Sequence, residues 1–345
     1  MKLLAVLVLF CGLSIGGFFI NAVGAQSIES AEIVRLYGNI PAGERVPVIT
    51  CLDFDSGGQI LAIGGDDHKV RLWDVATRKF TAEWERHNDW VRSLAFSPDK
   101  NTLATVSQDG QISLWNVKDG KLLKTLADPV RGTQQICFQP AKTRFAVCGF
   151  DQNVRLYDTV PGQPVVTLPA HGTNNETIAF SPDGSLLAVG GRTGVVRLWQ
   201  TSENKHLIDI AGDGRRVRAA AFSPDGTQLA AGGDGPFIIL WDVKTGKMIK
   251  TLNERPGKTF SLTFCGTDIL VSGESDNMIR LWEVSTGKQK AVLSGHTGTI
   301  SAMIYDAPSQ TLISGSFDTS VRFWDLKKRG VAISIRDHRG NAVPH

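Results

Sequence analysis

The sequence predicts an all-β fold, a closed ring of seven four-stranded antiparallel sheets, and three observations predict it. The first is a repeat: "IGGDDHKVRLWD", "TVSQDGQISLWN", "VCGFDQNVRLYD", "VGGRTGVVRLWQ", "AGGDGPFIILWD", "SGESDNMIRLWE" and "SGSFDTSVRFWD" are copies of one segment. The second is its period. The aromatics Trp73, Trp115, Tyr157, Trp199, Trp241, Trp282 and Trp324 stand 42, 42, 42, 42, 41 and 42 residues apart, which is the signature of stacked repeat units. The third is that no stretch after the first 25 residues keeps helical periodicity for three turns.

Residues 1–25 come first and read as a secretory leader. Lys2 is followed by an uncharged stretch from Leu3 through Ser27, and Val23 and Ala25 sit two apart ahead of Gln26, the small-residue pattern of a cleavage site. Cleavage after Ala25 is expected. The alternative is an uncleaved anchor, because residues 3–25 are long and apolar enough to span a bilayer. Cys11 is no lipid-attachment site, since bulky Phe10 precedes it. Cleavage would remove Lys2 and take the net charge from +3 to +2.

Each repeat then reads as hairpins in series. In the second, "DWVRSLAFSPD" alternates and stops at a Ser-Pro-Asp turn, "TLATVSQDG" stops at Asp-Gly, "QISLWN" follows, and "KLLKTL" comes after "KDG". The "FSPD" turn recurs at Phe96, Phe180 and Phe222. A sheet of about 40 residues cannot bury both faces alone, but sheets set face to face around an axis bury one another.

In-phase repeats, Trp-Asp endings at Trp73–Asp74, Trp241–Asp242 and Trp324–Asp325, and a Gly-His pair at Gly295–His296 resemble the WD-repeat family over roughly residues 30 to 336. The resemblance implies a seven-bladed β-propeller over 26–336, with a tail at 337–345. It also implies an internal tether in each blade, joining a His, a Ser or Thr, a turn Asp and a Trp. Blade two offers His87, Thr105, Asp109 and Trp115; blade seven offers His296, Ser314, Asp318 and Trp324. Asp67, Asp151 and Asp276 stand in place without the histidine. Blade four has His171 but Thr193 for the aspartate, and blade five has Gly235 there with Asp234 shifted by one. His87, His171 and His296 are therefore expected to be structural. His68, His206, His338 and His345 share no spacing. Residues 31–38 and 331–338 both read as an outer strand that could close the ring, and the N-terminal segment is the expected one.

Function classes narrow from here. A net charge of +3 does not by itself indicate a nucleic-acid binder. Arg192, "GRRVR" at Gly214–Arg218 and Lys258 concentrate positive charge, but the expected export argues against a nucleic-acid partner. Cys51, Cys137, Cys148 and Cys265 lie far apart, with no CxxC pair, so neither metal nor redox chemistry is signalled. A bond between Cys137 and Cys148 across one hairpin stays open. "GDGPF" and "AGDGRR" fall in hairpin turns rather than before a helix, and no nucleophile elbow is present. No enzyme and no cofactor are expected.

What remains is surface. The resemblance implies an exposed rim built from equivalent positions of every blade, which here selects Trp90, Arg92, Phe150, Arg192, Arg216, Arg218, Lys258, Phe260 and Phe317. Arg and aromatic side chains are the usual interface anchors. The expected function is a non-enzymatic scaffold, monomeric and exported to the periplasm or beyond, that binds another protein or an acidic peptide on this rim. The alternative is an enzyme or small-ligand binder working through the central channel. The membrane is a partner only if the leader is retained.

Overall fold

The computed structural model describes residues 27–28, 32–35, 46–55, 57–127, 132–252 and 256–328. The leader, the 331–338 segment and the C-terminal tail lie outside the described residues. Within them the chain folds as a seven-bladed β-propeller of four-stranded antiparallel blades.

Blade one consists of Ile49–Phe54, Ile60–Gly65, Lys69–Asp74 and Lys79–Glu85, running from the axis outward. The plan repeats with inner strands Val91–Phe96, Thr133–Phe138, Asn175–Phe180, Val217–Phe222, Thr259–Cys265 and Ile300–Asp306. Blade seven takes its outer strand from the N-terminal side: Glu32–Arg35 pairs antiparallel with Ser320–Asp325. Residues 32–35 of the 31–38 segment thus fill the slot expected of it. Ser27–Ile28 adds a fifth, parallel strand to the outer edge of blade six at Gln289–Leu293.

Seven hydrophobic clusters hold the ring, each spanning two adjacent blades. Alternation along each strand places apolar side chains on both faces of a blade, and each face packs on its neighbour. Trp84 of blade one stacks on Trp115 of blade two, with centroids 4.7 Å apart at 14°. Trp241, Trp282 and Trp324 are almost wholly buried. At the closing interface Val34 joins Ile49, Leu61, Ile313 and Val321, and Ser301 Oγ donates to the Ile49 carbonyl at 2.6 Å. The inner strands of blades seven and one also touch, so the ring is continuous.

Candidate interaction face and channel mouth

The blade seven tether is complete. Trp324 Nε1 donates to Ser314 Oγ at 2.8 Å, His296 Nε2 meets the same oxygen at 2.8 Å, and His296 Nδ1 meets Asp318 Oδ2 at 2.8 Å. Burial alone would raise the Asp318 pKa, but hydrogen bonds from His296, Ser320 and the Thr297 amide outweigh it and hold the carboxyl well below its usual range. Burial lowers the His296 pKa despite that partner. In blade two His87 Nε2 and Trp115 Nε1 reach Thr105 Oγ1 at 2.8 and 3.0 Å. Asp109, however, accepts from the Asn88 and Gln111 amides instead of the imidazole, and His87 Nδ1 is buried without a partner. Burial pushes the His87 pKa down to about 4.

Where the histidine is missing, an arginine two residues before the aromatic takes the aspartate. Arg71 pairs with Asp67 at 2.6 Å, Arg155 with Asp151 at 2.5 Å and Arg280 with Asp276 at 2.5 Å. Blade six adds the fully buried Glu274, which accepts from Ser272 Oγ at 2.8 Å while Trp282 Nε1 donates to that same oxygen. Sequence reasoning missed this substitution, although "VRLW", "VRLY" and "IRLW" carried its signal. Blade four departs from expectation. Val189 offers no acceptor to the buried Trp199 Nε1, which is unpartnered. His171 is not a buried tether there; it sits on the surface against Thr193 and 3.9 Å from Asp209. In blade five the shifted Asp234 leaves the tether altogether and faces the rim.

The rim follows from an irregularity present in every blade. Each inner strand carries a β-bulge two residues long against one: between Ile49 and Cys51, Val91 and Ser93, Thr133 and Gln135, Asn175 and Thr177, Val217 and Ala219, Thr259 and Ser261, and Ile300 and Ala302. A bulge re-aims the extra side chain. The seven extra residues are Thr50, Arg92, Gln134, Glu176, Arg218, Phe260 and Ser301, and all line one cavity of about 230 Å³ at the mouth of the channel. The turn between the second and third strands joins the same end. Gln108 N bonds to Trp90 O, Arg192 N to Asn174 O, Asp234 N to Arg216 O, and Phe317 N to Thr299 O.

The named rim residues thus come together at one end of the ring, in different states. Phe150 and Phe317 are exposed. Trp90 and Phe260 are half-buried, because the Arg92 and Arg218 guanidinium groups lie 5.0 Å over their rings. Arg192 is exposed. The cations of blades five and six are balanced by carboxylates. Arg218 pairs with Asp234 at 2.8 Å and Glu176 at 3.1 Å, Arg216 with Glu176 at 3.0 Å, and Lys258 with Asp234 at 3.6 Å. Glu176 and Asp234 were thus the residues needed to read the charge of this face. Arg92 differs: besides the Trp90 ring, its one polar partner among the described residues is Gln108 Oε1, on its Nε at 3.0 Å.

Deeper in the channel wall, Asp53 Oδ2 accepts from the Phe96 amide at 2.7 Å and clips blade one to blade two. Burial raises its pKa to about 7, against the lowering effect of backbone hydrogen bonds. The four described cysteines are free. Cys137 lies opposite Ala146 and Cys148 opposite Gln135, so the two thiols are not cross-strand partners. Burial pushes the Cys51 thiol up to about 12 and raises the others too, which keeps them protonated and unreactive. Among the described residues no cluster of three metal-ligating side chains occurs.

A family model described as "WD domain, G-beta repeat" matches residues 39–74, 78–116, 162–200, 205–242 and 287–325, more than half of the chain. The two repeats between those matches are blades three and six, in which arginine replaces the histidine. Short stretches resemble curated proteins. The chain is 41% identical over 68 residues to "Ribosome biogenesis protein ERB1" of Mycosarcoma maydis, covering 18% of this chain and 7% of that protein. It is 44% identical over 52 residues to "Superkiller complex protein 8" of Dictyostelium discoideum, covering 15% and 17%. Over 74 residues it is 34% identical to "p21-activated protein kinase-interacting protein 1-like" of Danio rerio, covering 21% and 18%. The matched stretch thus spans less than a fifth of each relative's length.

Proposed function

Because the chain belongs to the WD-repeat family, we propose that it is a non-enzymatic interaction scaffold whose bulge-ring face receives a protein or peptide. The observation that carries this reading is the set of seven bulges. One backbone device, repeated in every blade, turns seven different side chains toward one cavity mouth. The exposed Phe150 and Phe317 stand on turns at the same end of the ring, Phe150 lining a neighbouring cavity with Gln108. Exposed aromatics beside a preformed concave site are the usual anchors of protein recognition. Two of the relatives, one named as a complex protein and one as a kinase-interacting protein, agree with this class of role. The leader-like sequence of residues 1–25 adds the proposal that the scaffold works outside the cytoplasm.

Affinity capture from the soluble and envelope fractions of the source cells tests it. The full chain, a Phe150→Ala/Phe317→Ala variant and a Lys142→Glu control would be compared. A protein retained by the first and third and lost by the second is the expected outcome. Equal retention by all three contradicts a rim site. The channel-ligand alternative is favoured by the polar cavity itself, and a small molecule co-purifying with the chain in native mass spectrometry would support it.

A further inference from the structure

We propose that Arg92 is the anchor point of the interaction face, and that it takes a single carboxylate group of the bound peptide into the channel mouth. This rests on the interaction reading above and narrows it to one residue and one ligand chemistry.

Of the five cations named on the rim, four do not fit the part. Arg216, Arg218 and Lys258 are engaged by Glu176 and Asp234, so an incoming anion would meet two resident carboxylates. Arg192 is a solvated side chain on a turn, where an ion pair is worth little. Arg92 is half-buried in the cavity wall and has no carboxylate within ion-pair distance among the described residues. Its Nε is fixed by Gln108 at 3.0 Å and its plane by Trp90 at 5.0 Å. Nη1 and Nη2 make no hydrogen bond among the described residues, which leaves one edge of a preoriented fork open. A planar guanidinium edge matches a carboxylate in two parallel hydrogen bonds. Partial burial of an unpaired cation is costly, and a bound anion offsets that cost.

The surroundings select the anion. Glu176 lines the same cavity, held by Arg216 and Arg218, so the mouth already carries one carboxylate and a dianion such as a phosphate group meets more repulsion there than a monoanion. Gln134, whose Nε2 donates to the Gly132 carbonyl at 3.1 Å, lines the same cavity, and Phe260, Leu262 and Met303 give it an apolar side. At about 230 Å³ the space fits one side chain or one chain end rather than a folded element. The carboxylate comes either from an Asp or Glu side chain or from a C-terminus.

The test uses the full chain and pools of randomised hexapeptides, acetylated and amidated, with recovery read by mass spectrometry. One pool fixes Glu or Asp at a central position, a second fixes Gln or Asn, and a third fixes phosphoserine. A fourth repeats the second with a free C-terminal carboxylate. The chain is expected to retain the first or the fourth pool about tenfold over the second, a factor typical of one charge-assisted contact, and the pool that wins identifies the source. Arg92→Gln is expected to bring that ratio to about one with the melting temperature unchanged, and Arg92→Lys to leave about threefold. A wild-type ratio near one, a ratio unaltered in Arg92→Gln, or preference for phosphoserine overturns the anchor. If Arg92→Gln does not fold, an unaltered ratio in Arg92→Lys overturns it. Pools retained without acid preference, but lost in Phe150→Ala/Phe317→Ala, would sink the anchor and leave the interaction face standing. Retention of no pool would sink the anchor, while the capture experiment decides the face separately.

Discussion

His87 and His296 occupy the same place in two blades and differ in one hydrogen bond. His296 has Asp318 on its second nitrogen, whereas His87 Nδ1 is buried with none. The period of 42 residues made both legible as structural, because a repeated position argues for a repeated job. It could not show that Asp109 would turn to backbone amides. Nor did it show that Arg71, Arg155 and Arg280 would take over from a missing histidine, since a residue's partner across a turn is a matter of geometry. The consequence for His87 is a pH dependence. Its folded pKa of about 4 lies below the ordinary 6.5, so the unfolded chain binds the proton first. The stability held by the neutral imidazole is present above pH 6.5 and is lost as the pH falls toward 4. Urea unfolding at pH 7.5 and pH 5 should show wild type losing about 2 kcal/mol more than His87→Gln over that interval. Equal losses would mean that His87 is not held neutral by the fold.

At the scale of the strand, the bulge decides what reaches the channel mouth. Sequence patterning located the inner strand of the second repeat, and the family's equivalent positions selected Arg92, Arg218 and Phe260. Neither gave a reason for their direction, because a bulge is a property of two strands in register. A trace was present all the same: the bulge in blades one, four and five lies opposite the paired glycines Gly64–Gly65, Gly190–Gly191 and Gly232–Gly233. In blade seven a Cβ on Gly315 would stand 2.7 Å from Ile49 Cγ2 and 3.0 Å from Leu52 Cδ1, both in blade one. Gly315→Ala should therefore overpack the closing interface and cost about 1–3 kcal/mol by chemical denaturation. A neutral result would show that blades seven and one can separate without cost.

Across the whole molecule, seven inter-blade cores make the ring a single cooperative body, and the last of them depends on four residues that arrive from the other end of the sequence. Val34 is buried between blades seven and one. Val34→Asp would place a carboxylate there and is expected to cost about 3 kcal/mol or more, read as a lower melting temperature. An unchanged melting temperature would mean that Glu32–Arg35 does not close the ring. Ring size and blade number were legible because they follow from period and alternation. The closing strand did not follow from them, since residues 31–38 and 331–338 both fit the slot by pattern, and the pairing of Glu32–Arg35 with Ser320–Asp325 places the first. The charge of the interaction face was not legible. "GRRVR" reads as basic along the sequence, yet Glu176, 40 residues before Arg216, and Asp234 pair with its Arg216 and Arg218 in space.

The claim that this face is where the protein works is tested most directly by photocrosslinking in the source cells. Benzoylphenylalanine would be placed at position 317 or 150 on the bulge-ring face, and at position 142 on a turn away from it. Crosslinked partners at 317 and 150, absent at 142, are what the fold predicts. Partners captured at 142 and not at 317 or 150 would contradict it and move the working surface elsewhere on the ring.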